Sequence, residues 1–275
     1  MKGSSNTQLE NRFYELYIDF FNRAEAERRW NVQKDIPWDQ CNSKASDAIA
    51  LIVESFCAVE LFLPDYTSKI LHLIRKSRGR AWFQANWGYE ESKHSLVLEE
   101  WLVRSGKRSI QEVRDFAGTV LEREWELPFS TPRQMMIYTT FQELSTGLNY
   151  KNLRRKAMEQ GDKALATALS FVARDESAHY QFFQDGVKLY MQEDRDGTLE
   201  DMKKVLEGFR MPAQDLIPNW EVRGKTIIGE KVFSDRIFYK DIMRPILSIL
   251  GTSRDELQAL GEKLPELTVP PSLAR

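Results

Sequence analysis

The sequence predicts an all-α protein, a four-helix bundle core with additional flanking helices. Apolar residues recur at spacings of three and four through almost every long stretch, and few β-branched runs alternate as strands do. The predicted helices are also long and joined by short turns, and helices of about 25–30 residues, roughly 40 Å each, pack most simply as an antiparallel bundle. A chain of 275 residues with 42% hydrophobic content can bury one large core, and no Gly, Ser or Pro-rich linker divides it. The expectation is one domain over 1–275, with its core at about 46–192.

The elements follow in order. A helix over 7–29 precedes the bundle. The next spans 46–75; Pro64 sits inside it and should kink it, since the apolar period continues through Tyr66, Ile70, Leu71 and Ile74. Helices at 80–104 and 109–125 come next. Thr131 and Pro132 supply an N-cap and a first-turn proline for a helix over 132–159, which Gly161 terminates. A helix at 163–192 completes the core. The C-terminal extension, 198–275, comprises helices at 198–209, 235–250 and 253–262, an irregular excursion over 210–234 rich in Pro and Gly, and an extended tail, LPELTVPPSLAR.

Composition narrows the function classes. A formal charge of −2 and a pI near 6.1 argue against nucleic acid as the main partner. The start, MKGSSNTQLE, lacks the apolar region of a signal peptide, and no run reaches the length of a membrane span. The expectation is a soluble, cytoplasmic protein. Only Cys41 and Cys57 are present, which leaves carboxylates and histidines as the plausible ligand set for any metal.

Three histidines occur, and two of them close a Glu-x-x-His pattern: Glu91 with His94 in NWGYEESKH, and Glu176 with His179 in DESAH. Residues three apart share a helix face, so both can bind one ion or neighbouring ions. Glu60 lies 31 residues before Glu91, and Glu143 lies 33 before Glu176, so each half of the core offers one glutamate helix and one Glu-x-x-His helix. That is the ligand set of di-iron and di-manganese carboxylate bundles. A single Glu-x-x-His is most often surface decoration. Here the flanking Trp82, Trp87, Leu96, Leu98, Phe171, Val172, Phe182 and Phe183 are apolar on several sides, which predicts buried helices, and buried carboxylates need cations. His72 lacks the pattern and reads as a structural or loop-proximal residue.

Four stretches, VELFLPDYTSKI, NWGYEESKHSLVLEEWLVRSG, IYTTFQELSTGL and ARDESAHYQFF, closely resemble the soluble acyl-carrier-protein desaturases of plants and actinobacteria, members of the ferritin-like di-iron group. RRWNVQKDIPWDQ and RMPAQDLIP add to the likeness, which covers about 28–218. The resemblance implies a ferritin-like fold with two iron ions held by Glu60, Glu91, His94, Glu143, Glu176 and His179. Glu91 and Glu176 would bridge; Glu60 and Glu143 would each bind one ion beside a histidine. Thr146 matches a threonine beside the oxygen-binding face, and Asp175 and Trp30 match a pair that links a ligand histidine toward the surface. The implied reaction is O₂-dependent desaturation of an acyl chain on acyl carrier protein, with a ferredoxin-type electron donor and a homodimeric assembly. Lys69, His72, Met135 and Met136 depart from the residues the family places around the distal chain pocket, so chain length stays open.

Two other readings use the same centre: a di-iron hydroxylase or N-oxygenase, separable by product mass, and a ferritin-like iron-binding protein without turnover. For an acidic carrier the densest basic run, RKSRGR with Arg75, Lys76, Arg78 and Arg80, is the first expected docking patch, with Arg154, Arg155 and Lys156 next. A solvated turn complementing a helix C-terminus is the plainer account of the same run.

Overall fold

The computed structural model describes residues 2–260, all-helical in their regular structure; the predicted extended tail lies outside them. The first helix, α1 (Lys2–Arg23), runs into a π-helical turn, Ala24–Arg28. The bundle arms follow: α2 (Asp47–Glu60), α3 (Leu63–Ile74) and α4 (Arg78–Arg104), then α5 (Ile110–Leu121) on the flank, then α6 (Pro132–Glu159) and α7 (Lys163–Glu193). Helix α8 (Arg195–Gly208) packs on α6 and α7, and α1 lies across α4 and α7. The extension holds α9 (Trp220–Gly229), α10 (Asp235–Ile237), π-helical Phe238–Met243, α11 (Arg244–Ile249) and α12 (Arg254–Ala259). The excursion expected over 210–234 is therefore not wholly irregular: Trp220–Gly229 is helical and packs against α2.

Local chemistry sets the ends. Ser46, Thr131 and Asp162 each accept a hydrogen bond from the backbone N–H three residues on, and Ser109 with Glu112 forms a capping box. Gly161 stands at φ +70° in the turn between α6 and α7, a conformation that costs glycine little.

Pro64 does more than kink its helix. It ends α2 at Glu60, and Leu61 and Phe62 form a turn before α3 begins, with Pro64 in its first turn. Proline has no N–H to give the carbonyl four residues earlier, and that residue is Glu60. The break thus leaves a candidate ligand on the last residue of a helix. Two of the residues expected to be covered, Trp82 and Leu96, are exposed instead; they belong to a stripe that also includes Tyr89, at seven-residue spacing along α4. Trp87, Leu98, Val172, Phe182 and Phe183 are buried as expected. Both cysteines are free.

Candidate metal centre

The six residues singled out by spacing converge inside the bundle. Glu60, Glu91, His94 and Glu176 form one group and Glu91, Glu143, Glu176 and His179 a second, the donor atoms within each lying within 4.8 Å of one another. Glu91 and Glu176 belong to both groups, as bridging ligands would. All six side chains are buried, none more than 7% exposed. Both histidines turn Nδ1 inward: His94 Nδ1 is 3.0 Å from Glu91 Oε2 and 3.4 Å from Glu176 Oε1, and His179 Nδ1 is 3.0 Å from Glu91 Oε1 and 3.5 Å from Glu143 Oε2.

Four carboxylates this close cannot all carry charge by themselves. Burial, then the charge of Glu91, pushes Glu60 up to about 8; burial, Glu91 and Glu143 raise Glu176 well above the usual carboxylate range. Burial also opposes ionisation of Glu91, but His94 and His179 outweigh it and hold Glu91 down to about 2. The histidines answer in kind: burial lowers them, and the surrounding carboxylates raise both well above the ordinary imidazole value. Protons therefore share the cluster with the negative charge, as metal ions could.

The donor set fits divalent ions. Five buried polar atoms that face the cluster make no well-formed hydrogen bond: Oε1 of Glu91, Oε2 of Glu143, both oxygens of Glu176 and Nδ1 of His179. Carboxylate oxygens and an imidazole nitrogen left so, facing one space, are what two hard or borderline cations require.

Support around the six differs between the histidines. His179 Nε2 lies 2.7 Å from Glu90 Oε2, within hydrogen-bond reach, while His94 Nε2 is 3.6 Å from Asp175 Oδ2, an ion-pair distance. Trp30 Nε1 donates to Asp175 at 2.7 Å, its ring stacked on Phe171 and close to the Lys93 ammonium. The buried Arg28 guanidinium donates to both acids, to Glu90 at 2.9 and 3.1 Å and to Asp175 at 3.0 Å, and Arg29 reaches Glu90 as well. Burial opposes their ionisation, but the hydrogen bond from His179 holds Glu90 below its ordinary range and His94 does the same for Asp175.

Glu90, Arg28, Arg29 and Tyr150 escaped the sequence reading. A signal for Glu90 was present: in both halves an acid stands directly before the glutamate shared by the two groups, Glu90 before Glu91 and Asp175 before Glu176. Arg28 and Tyr150 had none, because their partners lie 62 and 90 residues away. Tyr150 donates its hydroxyl to Glu60, and Trp87 Nε1 donates to Glu143 at 3.1 Å.

Thr146 is half-buried and its hydroxyl donates to the Gln142 carbonyl at 3.0 Å, the back-bond of a helical threonine. It also lines an apolar cleft of about 80 Å³ with Glu60, Asn149 and Tyr150, closed on the far side by Trp220 and Ile227 of α9. His72 is exposed and away from the centre, lining an open groove with Lys69. In the basic turn, Arg80 is tied to Glu10, Ser77 and Tyr190 and Arg78 lies over Tyr14 and Trp82; Arg75 and Lys76 are exposed. Among the described residues no helix is long and apolar enough to cross a membrane.

The fatty acid desaturase family matches residues 19–254. Stearoyl-[acyl-carrier-protein] 9-desaturase 5 of Arabidopsis thaliana is 28% identical over 210 residues, covering 71% of this chain and 51% of its own. The protein named as acyl-[acyl-carrier-protein] desaturase DesA1 in Mycobacterium tuberculosis is 22% identical over 238 residues, covering 82% and 69%. The chain spans about half the length of the plant relatives it matches. In fold it is similar to DesA2 of M. tuberculosis H37Rv (TM-score 0.68, 17% identity, 92% of this chain and 98% of the other). An R2-like ligand-binding oxidase whose structure carries a Mn/Fe cofactor is also similar (TM-score 0.57, 14% identity, 88% and 93%). With the match extending over most of its length, the chain belongs to the fatty acid desaturase family.

Proposed function

We propose that this chain is an O₂-dependent di-iron desaturase that introduces a double bond into an acyl chain carried on acyl carrier protein. The observation that carries the reading is the juxtaposition of the six-ligand cluster with an apolar cleft in whose wall one ligand, Glu60, stands. Glu91 and Glu176 would hold both ions, Glu60 and His94 one, Glu143 and His179 the other. With iron bound, the site would supply reduction of O₂ and removal of hydrogen from unactivated methylenes. The overall balance is one –CH₂–CH₂– unit, O₂, two electrons and two protons going to –CH=CH– and two waters.

The protein's own contribution is position. The cleft presents an extended chain beside Glu60 and Thr146 and keeps water from it with Phe56, Ile227 and Phe233. Thr146 offers a hydroxyl oxygen on the cleft side of the Glu143 helix, where a proton or water can be held. Trp30, Asp175 and His94 follow one another inward, Trp30 bonded to Asp175 and His94 3.6 Å beyond it, and would give electrons from a ferredoxin-type donor a path to the ion beside His94. Arg28 and Glu90 orient the imidazoles.

The exposed stripe of Trp82, Tyr89 and Leu96 on α4 supports a homodimer that packs this face against a second copy. For the carrier, the cleft side of the molecule is the better docking face: Arg154 and Arg155 lie on α6 beyond Tyr150, and Lys231 and Arg236 flank the cleft residue Asp235, all four exposed. Arg80, by contrast, lines an inner void away from the cleft.

The deciding experiment loads purified protein with ferrous iron anaerobically, adds a panel of acyl carrier proteins, admits O₂ with an electron donor, and weighs the products. Two irons per chain and a product lighter by two hydrogens are expected. A product heavier by one oxygen would make the chain a hydroxylase, and iron bound without any product would make it a binding protein.

A further inference from the structure

Beyond the candidate metal site the bundle holds two small voids, of about 10 and 20 Å³, neither fully closed. Pro212 lines both the cleft and the nearer void, and Trp87, which donates to Glu143, lines the nearer void too. Cleft, metal site and voids thus follow one another through the bundle, and a chain that passed the metals would extend into this region. Met136 lines its far part, packed so tightly on α7 that a Cβ on Gly186 would stand 2.2 Å from the Met136 sulfur. Met135 and Met136 are unbranched thioethers, the side chains most able to yield to an incoming chain.

The walls of the voids are largely apolar, with Gln84 at the junction, where it lines both. Gln84 is 1% exposed and its Nε2 has no hydrogen-bond partner. It precedes Glu91 by seven residues, two turns along the same helix face, which puts it about 10 Å from the metal ligands along the bundle. Thr139 also lines both voids; its hydrogen is engaged with the Met135 and Met136 carbonyls, so its oxygen keeps acceptor capacity. A buried amide N–H without a partner is costly, and a plain alkyl chain would leave it so. A hydroxyl satisfies an amide in either orientation, since it both donates and accepts.

We propose that the acyl chain this site takes carries an oxygen function, a hydroxyl or carbonyl, toward its methyl end, and that Gln84 receives it. The inference rests on the acyl desaturase reading and adds the substrate class to it. The competing occupant is a single water, for which a void of this size suffices.

The test is binding without turnover. Acyl carrier protein is loaded with matched chains, plain or bearing a hydroxyl or keto group at successive positions near the methyl end, and Kd is measured on the anaerobic diferrous protein and on Gln84→Leu. Iron content and Tm of the variant are checked against the parent, and Gln84→Asn serves as a second variant that keeps the amide. The wild type is expected to bind one oxygenated chain about tenfold or more tighter than the plain chain, and Gln84→Leu to lose that preference by weakening the oxygenated chain alone. Equal or better binding of the plain chain by the wild type, with the ranking unchanged in Gln84→Leu, would assign Gln84 to a water and overturn the proposal. If the wild type binds no carrier-bound chain of either kind, the acyl desaturase reading itself fails, and the inference with it.

Discussion

Glu60 and Glu143 hold equivalent places in the two halves of the centre, yet their supports differ. Glu143 sits within the unbroken 28 residues of α6, fully buried, with Trp87 donating to it. Glu60 ends α2 at the Pro64 break, lines the cleft and takes its hydrogen bond from Tyr150. The histidines continue the asymmetry, His179 held by Glu90 at 2.7 Å and His94 only at 3.6 Å from Asp175. Of the two matching glutamates, one stands inside a continuous helix and the other at a helix end in the wall of the cleft. Pseudo-symmetry in residue spacing does not extend to the surroundings.

The comparison can be broken most completely at the shared ligands. Glu91→Ala or Glu176→Ala should abolish binding at both positions, from about two irons per chain to near none by metal analysis, whereas loss of one ion only would remove those residues from the bridging role. Next come the histidine supports. Glu90→Gln should weaken the ion beside His179 by about 10–100-fold, the usual cost of removing such a support, and Asp175→Asn should weaken the ion beside His94 less. Equal losses in competition titrations would show that 2.7 and 3.6 Å make no functional difference.

Proton linkage sharpens the same contrast. Burial and the charge of Glu91 raise Glu60 to about 8 in the metal-free cluster, so near neutrality it holds a proton that a metal ion must displace. Affinity should therefore rise with pH through neutrality by about tenfold per pH unit for this proton, its share ending near 8, with measurable acidification on metal addition in weak buffer. Pairs that take up ions with no proton release would mean the cluster is already deprotonated.

Smaller effects test the open half and its surroundings. Thr146→Val should leave iron content unchanged and lower the ratio of product formed to O₂ consumed several-fold; unchanged coupling would reduce Thr146 to its back-bond with Gln142. Charge reversal at Arg154 and Lys231 should raise the apparent KM for carrier-bound substrate a few-fold at low salt, fading as salt is added, while reversal at Arg75 and Lys76 should change it less. The opposite ranking would move docking to the basic turn.

Much of this was legible in the chain. The bounds of α6 coincide with those read from Thr131, Pro132 and Gly161, because caps and turn residues act locally. The six candidate ligands were legible because helical spacing is a local rule and the same chemistry recurs in each half. Pro64 was misread because the apolar period that continues past it reports burial, while the hydrogen bond it removes, to Glu60, reports continuity. Helix α9 was missed because Gly224 and Gly229 lower propensity over a ten-residue segment whose packing on α2 restores it. Trp82 and Leu96 looked like core because apolarity alone does not say which side of a helix faces the neighbours.

By itself, then, the sequence determined the helical class, the order of the arms and which six acids and histidines share the candidate site, all of which follow from periodicities of a few residues. Only the tertiary structure decided which acids stand behind which histidine, that Arg28 joins Glu90 to Asp175, that Tyr150 rather than a backbone group meets Glu60, and that the buried Nε2 of Gln84 is left without a partner. Those pairings depend on how α1, α4, α6 and α7 rotate against one another. That rotation is set by the packing of whole helix faces, and no short stretch of sequence contains it.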